Sequence, residues 1–189
     1  MLDKFVYHGS EISGLKKLNP QQTVRGVYLF AAKDKIVSAI FLTNKNNNSG
    51  DLTYWKSRNP ETGKIAIVER YKNAFKYLYE GVSGSIYVLS SEGFLEGKTG
   101  WDEEVVSEIS QTPIEEIRIK NIYDYLKKLE NDGLLEVYEY PNRPKCVPKN
   151  DNDLIWHAIR RGPKRVKRLI ELHPHLAKRS LLSIIKDDE

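Results

Sequence analysis

Three separated segments of the chain carry side chains that could do chemistry together. The first ends a short apolar run with an imidazole, a glycine and a hydroxyl; the second has two aromatic rings eleven positions apart; the third begins with two carboxylates. An aromatic platform, an approachable backbone and a carboxylate suit the binding of a flat ring and the stabilisation of a nearby cation. The residues are His8, Gly9 and Ser10, then Phe30 and Phe41, and then Glu103 and Glu104.

Each segment alone also has an ordinary structural explanation. A histidine beside a glycine at a strand end is common, and aromatic residues at strand and helix spacing usually belong to a core. The paired Glu103 and Glu104 are equally compatible with a solvated strand start. The functional interpretation therefore depends on the three segments occurring together, in this order.

Taken in order, the segments resemble the ADP-ribosyltransferase superfamily, on the His-Tyr-Glu side shared by diphtheria toxin and the poly-ADP-ribose polymerases. The likeness is to small bacterial and phage members, which also open with Tyr-His-Gly-Ser, and it spans about residues 5 to 120. It implies an α+β fold in which two facing, mainly antiparallel β-sheets form an NAD cleft. It also implies cleavage of the nicotinamide–ribose bond and transfer of ADP-ribose to an acceptor that the sequence does not identify.

The resemblance assigns roles in binding NAD to the first two segments. The backbone of Gly9 would pair with the carboxamide of nicotinamide, while His8 and Ser10 would bind ribose hydroxyls. The two rings eleven positions apart, Phe30 and Phe41, would sandwich the nicotinamide. Better-known relatives carry Tyr at those two positions, and the hydroxyl that Phe lacks would come from Tyr28, which precedes the first ring by two residues.

The third segment would supply the catalytic carboxylate, which in this family stabilises positive charge at the anomeric carbon of ribose. Two registers are open. Alignment through Gln111 selects Glu103, whereas alignment through Glu-x-Val-Ser and Pro113 selects Glu104. We prefer Glu104.

The elements that must position these residues form an α+β pattern of short strands interspersed with helices. A helix capped by Asp34 follows the second strand, and a loop of nearly 20 residues is predicted from Asn44 past Pro60. The predicted strands are 4–8, 27–30, 65–68, 85–89, 104–109 and 116–119. Further helices are predicted at 74–79 and from 121 to about 131.

Prolines mark a boundary near the C-terminal quarter, since Pro141, Pro144 and Pro148 lie among mostly polar residues. The sequence therefore predicts a transferase-like domain at 1–140, a linker at 141–150 and a basic helical region at 151–189. Apolar periodicity favours three helices in that last region, the second beginning at Pro163 and the third spanning about 176–185.

The C-terminal region suggests a second class of function. From residue 139 onward the chain has 12 Lys and Arg against 7 Asp and Glu, and such a basic cluster can neutralise phosphates. The alternative hypothesis is a non-catalytic nucleic-acid or protein-binding module on the same fold, and the simplest alternative is a solvated helical surface. The candidate residues are Arg160, Arg161, Lys164, Arg165, Lys167 and Arg168.

Composition disfavours other classes. One cysteine excludes a disulfide scaffold, and the two histidines of His173-x-His175 are insufficient for zinc unless other ligands converge, so no metal is predicted. The chain has no Walker, Gly-x-Gly-x-x-Gly or Gly-x-Ser-x-Gly motif. Without a long apolar stretch or a basic leader, the expectation is a soluble, cytoplasmic protein with no membrane partner.

Overall fold

The computed structural model describes residues 2–23, 25–44 and 50–177. Its strands are β1 (Phe5–Ser10), β2 (Gln21–Thr23), β3 (Gly26–Ala32), β4 (Tyr54–Arg58), β5 (Ile65–Glu69), β6 (Gly84–Ser90), β7 (Phe94–Leu95), β8 (Glu104–Ser107), β9 (Glu115–Ile119) and β10 (Leu135–Tyr138). Its α-helices are α1 (Lys35–Ile40), α2 (Ala74–Tyr79), α3 (Ile122–Asn131), α4 (Asn152–Arg160) and α5 (Pro163–Leu172). Short 3-10 helices span Gly50–Leu52 and Pro174–Leu176. Over these described ranges, no helix has both the length and the apolar character needed to cross a bilayer.

The chain forms two compact units, and each unit is built from two separate stretches of the sequence. Unit 1 comprises Met1–Asn44 and Tyr79–Leu129, and unit 2 comprises Lys45–Leu78 and Glu130–Glu189. Each unit contains one sheet, so the predicted α+β class is confirmed. The proposed boundary at 141–150 stays a prediction; in that segment Val147 is buried and Arg143 forms an ion pair with Asp151 (2.7 Å).

The sheet of unit 1 has seven antiparallel strands in the order β7-β8-β3-β1-β6-β9, with β2 on β3. Alternate side chains point to opposite faces of a strand, and one face here forms an apolar cluster. The cluster consists of Val6, Leu18, Leu29, Ala31, Tyr87, Leu89, Phe94 and Val105, with Leu2 and Leu15 against it. This cluster fixes the register of the strands that carry the three candidate segments.

Helix α1 packs against β1, β3 and β6. It begins where the sequence predicts, because the carboxylate of Asp34 accepts a hydrogen bond from the Ile36 amide (2.8 Å) and satisfies one of the helix's first amides. Its C-cap residue is Phe41, which is 42% exposed, while Val37 and Ile40 are fully buried. The helix therefore buries one side and presents its final aromatic ring at the surface.

Unit 2 contains a three-stranded mixed sheet in which β5 pairs with β4 antiparallel and with β10 parallel. All five residues of β5 are buried; the first four form the apolar run of the sequence, and the fifth is Glu69. The predicted loop from Asn44 past Pro60 is wrong, because Tyr54–Arg58 forms strand β4. Its residues pair one for one with β5, and those ladder bonds satisfy the backbone that a loop would expose to water.

The helices of unit 2 bury a second apolar cluster, which contains Leu52, Leu154, Ala158, Val166, Leu169 and Leu176. Helix α5 begins at Pro163, as the sequence predicts. The apolar periodicity of α4 predicts that Ile159 is buried along with Leu154 and Ala158. That prediction is wrong for Ile159, which is 46% exposed, because the buried stripe runs through Leu154 and Ala158. Most of the predicted third helix, beyond residue 177, lies outside the described residues.

A partly exposed polar clamp holds the segment that follows β1. The carboxylate of Glu116 accepts hydrogen bonds from the Gly14 amide (2.8 Å) and the Ser85 hydroxyl (2.7 Å), and it pairs with Arg118 (3.2 Å). The Tyr87 hydroxyl donates to the Ile12 carbonyl (2.8 Å) and accepts from the Leu15 amide (3.0 Å). These bonds fasten residues 12–15 to β6 and β9.

The bonds from Gly14, Arg118 and Ser85 lower the pKa of Glu116 from its ordinary 4.5 to about 2. A lowered carboxyl pKa stabilises the fold fully above pH 4.5, and that contribution is lost as the pH falls toward 2. We therefore expect Glu116→Gln to lower the free energy of unfolding at pH 7 and to flatten its decline between pH 4.5 and 2, measured by denaturant unfolding.

The matched control is Glu115→Gln, which changes an exposed carboxylate on the same strand. Its acid profile should follow that of the wild type. An unchanged decline in the Glu116 variant would contradict the clamp.

Candidate active site

The candidate site lies where β1 and β3 separate. All six residues of β1 pair with β6, whereas only Tyr7 is in register with β3, opposite Ala32. Strand β3 continues to pair with β8 on its other side, where Ala32 lies opposite Glu104. Cross-strand partners share a face, so Tyr7, Ala32 and Glu104 lie side by side on the same face of the sheet.

A cavity of about 250 Å³ lies at this separation. Its lining is mostly apolar and aromatic, with one imidazole and one carboxylate. The lining residues are Tyr7, His8, Gly9, Phe30, Ala31, Ala32, Ser38, Phe41 and Glu104. The structure thus brings together residues of all three segments that the sequence singled out.

His8 bridges the two separating strands through its ring. Its Nδ1 lies 2.7 Å from the Phe30 carbonyl, and since a carbonyl only accepts, Nδ1 carries the hydrogen. Burial lowers the pKa of His8, although the bond to Phe30 acts in the opposite direction. The ring is therefore neutral at pH 7, and its Nε2 is an acceptor.

Gly9 allows helix α1 to approach strand β1 closely. A Cβ atom at this position would lie 2.4 Å from the Ser38 carbonyl oxygen and 3.3 Å from Cγ of Leu42. The first distance is well inside van der Waals contact, and the atom it meets is backbone. Glycine is thus required by the packing of α1, whether or not a ligand also contacts its backbone.

Two aromatic rings reach the cavity from different elements. Phe30 belongs to β3, and Phe41 is the C-cap residue that follows α1. The Phe41 ring contacts Trp101 edge to face, with centroids 5.7 Å apart, and Phe30 contacts Tyr28 in the same manner at 6.2 Å. The orientation of each cavity ring is therefore supported by a second aromatic side chain.

Glu104 lies at the start of β8, where its side chain is 15% exposed. Its carboxylate is 3.8 Å from Nη1 of Arg25, a separation that allows charge attraction and exceeds a hydrogen bond. Arg25 also donates to the Thr99 carbonyl (2.5 Å), which holds its guanidinium near the Glu104 carboxylate. Sequence reasoning missed Arg25; its only signal is its place directly before β3.

Three of the predicted site residues do not line the cavity. Glu103 is buried beside it, and its carbonyl accepts a hydrogen bond from the Lys33 amide (2.9 Å). Ser10 uses its hydroxyl to accept from the Ile12 amide (3.1 Å), and Tyr28 packs on Phe30. Of the two candidate carboxylates, Glu104 lines the cavity and Glu103 does not.

Sequence reasoning also missed four lining residues. Tyr7, Ala31 and Ala32 lie on the separating strands, and Ser38 lies on the inward side of α1. The two alanines have no functional group, and the sequence alone assigns no role to the hydroxyls of Tyr7 and Ser38. Only the register of β1 with β3 and the contact of α1 with Gly9 bring them to the cavity.

In comparisons with protein-family models, with curated proteins and with solved structures, nothing matches this chain. The resemblance to ADP-ribosyltransferases therefore rests on the three segments alone. What the structure adds is the position of those segments around one cavity.

The basic residues of the C-terminal region lie on or between α4 and α5. Arg160 places its guanidinium 4.5 Å from the Trp156 ring centroid, and Arg168 pairs with Glu171 (3.0 Å). The buried Val166 and Leu169 lie on the inward side of α5, so the helix has an apolar packing face. Nucleic-acid binding by the predicted arginines and lysines stays a prediction.

We expect Gly9→Ala to lower the free energy of unfolding by about 1–3 kcal/mol, since an extra methyl group in a tightly packed place costs that much. Denaturant unfolding measures it. Ser10→Ala, in the same strand, is the control and should cost no more than about 1 kcal/mol, because it removes one exposed hydrogen bond. Equal stability of the Gly9 variant and the wild type would contradict the close approach of α1.

Proposed function

We propose that the protein is an NAD-dependent ADP-ribosyltransferase whose active site is the cavity between β1 and β3. The observation that supports this most is the convergence of an imidazole, a glycine, two aromatic rings and a carboxylate from three distant segments. These residues are His8, Gly9, Phe30, Phe41 and Glu104. The acceptor of ADP-ribose is left open.

The reaction needs a carboxylate next to the bond that breaks. The bond between the anomeric carbon and the nicotinamide nitrogen breaks with its electron pair leaving on nicotinamide, and positive charge develops on the ribose. The acceptor then donates an electron pair to that carbon and loses a proton. A carboxylate at Glu104 stabilises the developing charge, and this interaction is stronger in the transition state than in bound NAD.

The state of His8 suits a ribose contact. Its Nδ1 hydrogen is bound to the Phe30 carbonyl, and its Nε2 is an acceptor. A ribose hydroxyl can donate to that nitrogen while its own oxygen accepts from another group. The expected partner of His8 is therefore a hydroxyl and not an anion.

The size of the cavity indicates which part of NAD it encloses. At about 250 Å³ it lies below the roughly 300–1,000 Å³ typical of pockets that enclose drug-sized ligands. Its aromatic and apolar lining suits the nicotinamide ring, and its single carboxylate suits the adjoining ribose. The adenosine half would extend outside this cavity.

We expect Glu104→Gln to lower the rate of NAD cleavage by about 100-fold or more, the usual effect of losing one electrostatic group in a transition state. NAD affinity should change little, because the lost interaction acts on charge that develops during the reaction. Nicotinamide release, measured chromatographically with a cell extract supplying acceptors, gives the rate. Calorimetry at millimolar NAD gives the affinity.

Glu103→Gln is the matched control, because it makes the same change one residue away, outside the cavity. It should retain activity. Loss of activity in the Glu103 variant and not in the Glu104 variant would move the catalytic register by one residue. If the folded wild type neither binds nor cleaves NAD, the proposal is wrong; binding without cleavage in any extract would favour the non-catalytic alternative.

A further inference from the structure

A second cluster of chemically active side chains lies in unit 2. It contains Asp151, immediately before α4, His173, at the end of α5, and His175, in the following 3-10 helix. One nitrogen of each histidine and one carboxylate oxygen lie within 4.8 Å of one another. The sequence predicts no metal from His173-x-His175, and the fold supplies a third candidate ligand, the carboxylate of Asp151, from 22 residues upstream.

His173 is fully buried and has one unsatisfied nitrogen. Its Nε2 donates to the Leu52 carbonyl (2.7 Å), whereas its Nδ1 has no hydrogen-bond partner among the described residues. A buried imidazole with one N–H satisfied is neutral, so Nδ1 presents a lone pair. A metal-binding histidine usually donates its other N–H to a carbonyl or carboxylate in this manner, which fixes the ring.

Asp151 divides its two oxygens between different tasks. Oδ1 is bound by Arg70 (3.1 Å) and Arg143 (2.7 Å), while Oδ2 is 3.1 Å from Nε2 of His175. Arg70 also pairs with Asp153 (2.6 Å), so two arginines are balanced by two aspartates. The ion pairs hold the carboxylate in place and leave its Oδ2 facing His175.

We propose that Asp151, His173 and His175 bind a transition-metal ion of the Zn²⁺ class. Imidazole nitrogen and carboxylate oxygen are preferred zinc ligands, with bonds of about 2.0–2.2 Å. Two ligands of one tetrahedral ion then lie about 3.3 Å apart, and Oδ2 of Asp151 and Nε2 of His175 are already 3.1 Å apart. The nitrogen of His173 lies within 4.8 Å of these two atoms, so a movement of side chains must shorten that distance for all three to bind one ion.

The side chain of His175 is 52% exposed, so solvent reaches this side of the cluster and can supply a fourth ligand. A water molecule or another small ligand can occupy that fourth position. The three protein ligands join the start of α4, the end of α5 and the segment after it. Metal binding would therefore stabilise this helical pair, independently of any chemistry in the cavity of unit 1.

The test is calorimetric titration of the full, tag-free chain with Zn²⁺, after dialysis against a chelator, with melting temperature as a second readout. We expect one ion per chain and a higher melting temperature that the chelator reverses. His175→Gln should weaken binding by more than about 100-fold, beyond the 10- to 100-fold that losing an outer partner of a ligand costs. Because His175 is half exposed, this variant is expected to fold.

Two further variants complete the test. His173→Gln should also lose the ion, and His157→Gln, which removes a histidine of α4 outside the cluster, should bind as the wild type does. Substitution with Co²⁺ should give the absorption of a tetrahedral nitrogen and oxygen site in the wild type and not in the His175 variant. The proposal is overturned if the wild type binds no Zn²⁺ at micromolar concentration, or if His175→Gln binds it as tightly.

Discussion

The cavity of unit 1 depends on the contact between Gly9 and the Ser38 carbonyl. Because glycine has no Cβ, α1 can lie against β1 where any other residue would meet backbone at 2.4 Å. That contact sets the position of the helix end, and with it the ring of Phe41. It also occurs where the pairing of β1 with β3 ends. Beyond this point, the packing of α1 and the hydrogen bond from His8 to Phe30 replace the hydrogen bonds between the two strands.

Unit 2 depends on a different constraint, the burial of Arg70. Its side chain is 1% exposed, and a buried guanidinium is tolerated only when carboxylates offset its charge. Asp151 and Asp153 supply that charge from the start of α4. Since Arg70 directly follows β5, the ion pairs connect the fully buried central strand to the helical pair and bring Asp151 to the two histidines.

Local signals in the sequence predict local structure well. The cap of α1 at Asp34 and the start of α5 at Pro163 follow from single residues whose effect acts within one turn. The prediction of a loop at β4 is wrong because this strand is stabilised by its pairing with β5. The polar residues around Trp55 give no sign of that pairing in the sequence. The same reason explains the cavity: the order of the segments predicts five of its lining residues, whereas the other four depend on strand register and on the packing of α1.

His173, which is fully buried, and His8, which is partly buried, follow the same physical rule with opposite nitrogens. His8 gives its Nδ1 hydrogen to the Phe30 carbonyl and His173 gives its Nε2 hydrogen to the Leu52 carbonyl. Burial disfavours the charged ring, so each keeps a lone pair on the remaining nitrogen. What each free lone pair can bind then depends on its neighbours. Nε2 of His8 lies in an apolar cavity with one carboxylate and suits a hydroxyl donor. Nδ1 of His173 lies beside a carboxylate and a second imidazole and suits a cation.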